Sequence, residues 1–162
     1  MLNSARNITS GGQLKALIKV PLILVSVFII FRIILEEMGF TTPITNIFGV
    51  IWLNFLVPIY LVFQLEKRSS LNWFKNLFAV VFFFTLCTRL MVMITYMLAY
   101  VLGWKAIRFS VEGGGGVGAD SLMQGMIFIP FINLLLSVFV LTIIGVLLGS
   151  ITLLIRRRTV SL

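Results

Sequence analysis

Four stretches of this chain are apolar almost without interruption and longer than the roughly 20 residues a helix needs to cross about 30 Å of hydrocarbon. They run from about 20 to 38, 44 to 65, 77 to 103 and 127 to 155. Their apolar residues are continuous and do not alternate with period two, which predicts helices and not the strands of a barrel. Sixty per cent of the residues are hydrophobic, 11% are charged, and the mean hydropathy is +1.13. A soluble domain does not have this balance. With 162 residues, the four stretches leave no room for a second globular unit. The expected fold is therefore an all-α integral membrane protein, a four-transmembrane-helix bundle forming one membrane domain over 1–162.

Basic residues in the short connecting segments predict the orientation. Arg6, Lys15 and Lys19 precede the first span, Lys67, Arg68 and Lys75 lie between the second and third, and Arg156, Arg157 and Arg158 follow the fourth. These segments are expected on the cytoplasmic side, giving an N-in/C-in bundle. The segment after the first span carries Glu36 and Glu37, and the 104–126 loop balances Lys105 and Arg108 against Glu112 and Asp120. Both are expected outside. No cleavage site follows the first span, so it reads as a retained anchor. The net charge of +8 sits mostly at the cytoplasmic helix ends, which implies contact with anionic lipids rather than nucleic acid. The expected location is the bacterial inner membrane.

Prolines and polar residues mark finer features. Pro21 suits a first helical turn, Pro58 is expected to interrupt the second span, and Pro130 to bend the fourth. "QLKALIKV" and "SSLNWFKN" read as short amphipathic turns along the inner headgroups, the second capped by Ser70 with Trp73 at the interface. Asp120 or Ser121 is expected to cap the helix leading into the fourth span.

The absent chemistry excludes several function classes. Without histidine the chain alone builds no bis-histidine haem site and no H-E-x-x-H zinc helix. Cys87 is the only cysteine and lies within a span, where it reads as a small packing residue. All five carboxylates fall at span ends or in loops, which disfavours a proton pump. Gly113, Gly115 and Gly118 have the G-x-G-x-x-G spacing, but no βαβ unit surrounds them. The glycine run reads as a flexible linker. No cofactor and no catalysis are expected.

Arg89 stands near the centre of the third span. A centred arginine opposes insertion by roughly 2.5 to 3.5 kcal/mol, which the surrounding apolar residues outweigh, but its charge still requires partners or water. Thr85, Arg89, Tyr96 and Tyr100 share one helical face. Depth estimates bring Asn54 of the second span level with Arg89, and Arg32 of the first span to a similar height with Glu36 as its i, i+4 partner. Arg32, Glu36, Asn54, Arg89 and Tyr96 are therefore expected to form one intramembrane polar cluster. It reads either as a structural lock or as a site for an anion. Gly145 and Gly149 form a G-x-x-x-G helix-packing face, whose partner helix belongs to this chain or to another. These assets predict a non-catalytic accessory, scaffold or assembly subunit of a larger membrane complex, with other membrane-protein subunits as partners. The alternative is a small transporter or channel for an anionic or lipophilic solute, with Arg89 and Arg32 as its anion-binding charges.

Overall fold

A computed structural model describes residues 11–40, 42–66 and 72–160. Arg6, Lys67, Arg68 and Ser70, which entered the charge and capping arguments, lie outside the described residues. The described residues are 84% helix, and their only β-type pairing is an isolated bridge between Ser110 and Val117. The helices are α1 (Gly11–Glu37), α2 (Thr42–Ile47), α3 (Val50–Glu66), α4 (Trp73–Leu102) and α5 (Ile129–Val160). Four stretches are long and apolar enough to cross a membrane: Lys15–Glu37, Pro43–Glu66, Trp73–Leu102 and Gln124–Arg158. The protein is thus an all-helical membrane-type bundle.

The helices start and stop differently from the proline-based expectation. Pro21 lies well inside α1, so "QLKALIKV" continues that helix and is not a separate turn; Leu17 and Ile18 are buried while Lys15 and Lys19 are exposed. Pro58 sits within an unbroken α3. The second span is interrupted instead at Phe48 and Gly49, between α2 and α3. There the Gly49 N–H donates to the Asn46 carbonyl at 2.9 Å, and the Trp52 indole donates to the same oxygen at 3.2 Å. Two other donors thus satisfy the carbonyl that a continuous helix would pair with Val50.

At Pro130 the missing N–H leaves the Met126 carbonyl without its i+4 donor, and the ring crowds the preceding turn. The chain answers with a wider π-helical turn over Gln124–Phe128 just before it. The Ser121 hydroxyl accepts from the Gln124 N–H at 3.2 Å, so Ser121 is the cap. α4 ends at Gly103, whose φ of +64° is the left-handed conformation that closes a helix without Cβ strain.

α3, α4 and α5 pack on one another, while α1 lies on α3 and α4 and does not meet α5. Val25 of α1, Leu61 of α3, and Val80, Val81 and Phe84 of α4 form the fully buried centre. The G-x-x-x-G face closes this packing from α5. A Cβ on Gly145 would stand 2.8 Å from Val81 Cγ1 and 3.0 Å from Pro58 Cγ; one on Gly149 would stand 3.0 Å from Leu77 Cδ2 and 3.3 Å from Val62 Cγ2. The partner helices of that face are therefore the chain's own α3 and α4. Outside the core, large apolar side chains such as Ile23, Val27, Leu56, Phe83, Leu98, Phe139 and Leu147 are exposed. A surface of this kind suits lipid and not water.

Candidate functional site

Chemistry-bearing side chains gather at the end of the bundle where α1 stops and the 103–123 connection begins. The Glu36 carboxylate accepts from Arg32 Nε on one oxygen at 2.8 Å and from Arg108 Nε on the other at 2.7 Å. Arg32 also donates from Nη2 to Asn46 Oδ1 at 3.1 Å. One carboxylate thus ties the end of α1 to the α2 segment through Arg32 and to the loop through Arg108. The Arg108 guanidinium lies 4.2 Å over the Phe109 ring and 6.0 Å from the Tyr96 centroid. Burial lowers the pKa of Arg108 from its ordinary value, and the Glu36 charge opposes that shift. A guanidinium still remains cationic under these conditions.

The glycine run is folded, not a free linker. Val111 N–H donates to Val117 O at 3.1 Å, Val117 N–H to Phe109 O at 2.8 Å, and Gly115 N–H to Ser110 O at 2.7 Å. Gly115 and Gly116 are buried. Gly116 lies directly on the backbone of Gly125, and Gly125 on the Tyr100 ring, with no space for a Cβ at either. The Asn133 amide donates to Gly114 O at 2.7 Å and fastens the loop to α5.

Beneath this loop is a cavity of about 280 Å³, lined by Arg89, Val92, Met93 and Tyr96 of α4, Pro130, Asn133, Leu134 and Ser137 of α5, and Gly113 and Gly114. No residue of α1 or α3 lines it. Arg89 is partly buried, its Nε is fully buried, and it has no hydrogen-bond or ion-pair partner among the described residues.

The expected five-residue cluster is thus distributed. Arg32 and Glu36 are joined, and Tyr96 connects the two sites, packing edge-on against Phe109 at 5.2 Å while lining the Arg89 cavity. Asn54 takes no part: its amide donates to the Val50 carbonyl at 3.1 Å within α3, and its buried Oδ1 has no hydrogen-bond partner among the described residues. Matched depth on two helices does not fix the direction a side chain faces. At about 100° per residue, the Arg89, Tyr96 and Tyr100 stripe is turned about 135° from the face that Leu77, Val80, Phe84 and Thr88 bury in the bundle, and Thr85, expected on that stripe, is buried.

Arg108, Asn46, Asn133 and Ser137 were not anticipated at these sites. For Asn133 and Ser137 a signal exists, since two polar residues at i, i+4 in an apolar helix mark one polar face. At the opposite end of the bundle Glu66 pairs with Arg156 at 2.7 Å, and Arg157 lies 5.4 Å over Trp73. Among the described residues no three His, Cys, Asp or Glu side chains converge to hold a metal ion. Comparison with family models, curated proteins and solved structures gives no match.

Proposed function

We propose that this chain is a non-catalytic subunit of a larger membrane assembly, inserted with both termini on the cytoplasmic side of a bacterial inner membrane. One observation carries the reading: Arg89, near the middle of α4, has no counter-charge among the described residues. A guanidinium within hydrocarbon is tolerated where it pairs or is hydrated, and an acid on a neighbouring subunit would supply the pair that this bundle lacks. The folded glycine loop and the clasp around Glu36 give the assembly a rigid outer surface. Arg157 beside Trp73, with Arg156 and Arg158, offers anionic lipids a cationic rim at the inner face.

The contacts of Gly145 and Gly149 are internal to the chain and lend no support to this proposal. It is tested by purifying the chain from its membrane in mild detergent and identifying what accompanies it. Other integral membrane proteins in stoichiometric amount are the expected result. A chain that purifies alone contradicts the proposal.

A second reading has its own support. Tyr96 and Asn133 line the cavity beside Arg89, and polar groups of this kind orient a small anionic solute. Saturable anion flux through liposomes containing only this chain, abolished by Arg89→Ala, would establish a carrier instead.

A further inference from the structure

We propose that the groove on the outer flank of α4 and α5 receives a transmembrane helix of a different protein, which places an Asp or Glu carboxylate against Arg89. This rests on the subunit reading above and names the partner's chemistry. The groove's location is the first argument. α1 reaches α4 on another side, where Ser26 Oγ contacts Met91 Sδ at 3.6 Å, and α3 fills the angle between α4 and α5 through Pro58 and Val62. The cavity lined by Arg89, Met93, Asn133 and Ser137, with Gly113 and Gly114 of the loop over one end, thus lies on the side of the α4–α5 contact away from α1 and α3. Within a membrane, that flank borders lipid or another helix.

Depth selects between these two. Arg89 is sixteen residues from Trp73 and thirteen from Leu102, so its Cα lies about 24 Å and about 20 Å from the two ends of α4 at roughly 1.5 Å per residue. It is close to the midplane of a hydrocarbon layer of about 30 Å. A lipid phosphate would have to sink about 15 Å to meet it. A carboxylate halfway along a spanning helix is already there. Charge complementarity then specifies an acid, because a guanidinium in a low-dielectric groove takes a carboxylate in bidentate form.

A second copy of this chain does not supply that acid. Its carboxylates are Glu36, Glu37, Glu66, Glu112 and Asp120. Glu36 is shared by two arginines, Glu66 is paired with Arg156, Glu37 ends α1, and Glu112 and Asp120 belong to the outer loop. None stands midway along a spanning helix as Arg89 does. The occupant is therefore a different chain carrying a mid-span acid, and Tyr96 and Asn133 line the groove beside it.

The test is photo-crosslinking in the membrane from a photoreactive residue at Met93 in the groove, with the same residue at exposed Ile23 of α1 as control. The full-length chain is used. A Met93 adduct is expected whose crosslinked segment is a transmembrane helix with an Asp or Glu near its centre, absent from the Ile23 sample. Its yield should fall about tenfold in Arg89→Leu, persist in Arg89→Lys, and return when Arg89→Glu is combined with Lys at the partner acid. Rescue by the charge swap separates lost pairing from lost folding. Adducts only to lipid, to a helix without an acid, or in unchanged yield from Arg89→Leu overturn the proposal. Where membrane subunits still co-purify with Arg89→Leu as with the wild type, the pairing fails and the subunit reading stands; where nothing co-purifies with the wild type, both fail.

Discussion

A carboxylate that accepts from two guanidiniums, one on each oxygen, cannot be removed without bringing two cations face to face. Glu36 is in this position, with its side chain only 7% exposed and those of Arg32 and Arg108 at 18% and 17%. Breaking a buried pair by deleting one partner typically costs about 3 to 5 kcal/mol. Glu36→Gln is therefore expected to lower the unfolding free energy in detergent by about 3 kcal/mol, read from the thermal or denaturant midpoint. Arg108→Met should cost less, because Arg32 still neutralises the carboxylate. A Glu36→Gln variant as stable as wild type would show that the clasp holds nothing. The Arg32 half was legible in the sequence, since i, i+4 spacing on a helix dictates the contact. The Arg108 half was not, because 72 residues separate it from Glu36 and only the folded loop brings them together. Arg89 was legible as a misfit for a different reason: a cation amid apolar residues is conspicuous in composition alone. Its surroundings were not, because depth along a helix can be counted from the sequence whereas the direction it faces depends on how four helices have packed.

Glycine serves two purposes in these helices and their connection, and only one can be read from spacing. The Gly145 and Gly149 pair marks a close-packed face at any i, i+4 position, but the identity of the opposing helix came from α3 and α4 closing on it. Gly149→Leu inserts a side chain where even a Cβ meets Leu77 at 3.0 Å. Overpacking of this kind typically costs about 1 to 3 kcal/mol, so the variant should unfold earlier in detergent while any intermolecular association is unaffected. In the loop, Gly114 and Gly118 take φ of +84° and +89° and use glycine's conformational freedom. Gly116 uses its size, lying flat on Gly125. A run of glycines suggests flexibility because freedom is the commoner use, and the ladder from Ser110 to Val117 exists only because backbone can approach backbone there. Gly116→Ala is expected to displace the loop and raise hydrogen exchange at the Val111 and Val117 amides by about tenfold or more. Unchanged protection would mean the loop tolerates a side chain at that contact. The helix break at Gly49 was hidden in the same way, since Pro58 carries the stronger sequence signal for interruption but lies within an unbroken α3.

Charge is divided between the two ends of the whole bundle, and the expected orientation rests on that division. At the end formed by the start of α1, the end of α3, the start of α4 and the end of α5, the described basic residues are Lys15, Lys19, Lys75, Arg156, Arg157 and Arg158, against Glu66. At the other end Arg32, Lys105 and Arg108 face Glu36, Glu37, Glu112 and Asp120. The ion pairs between elements distant in sequence, Glu66 with Arg156 and Glu36 with Arg108, fix which helix ends belong together. The alternation of four antiparallel helices therefore needs no separate assumption. Positive charge near short connections resists translocation, so the basic end is expected in the cytoplasm and the glycine loop outside. Single cysteines at the exposed positions Asn72 and Glu112, in a Cys87→Ala background, test this on intact cells with an impermeant thiol reagent. Labelling is expected at residue 112 and, before the cells are opened, not at residue 72. The reverse pattern would put the glycine loop and the Glu36 clasp on the cytoplasmic side, and the proposed outer surface of the assembly would become its inner one. Arg89 is insensitive to that inversion, because a residue close to the midplane keeps its depth whichever way the bundle is inserted.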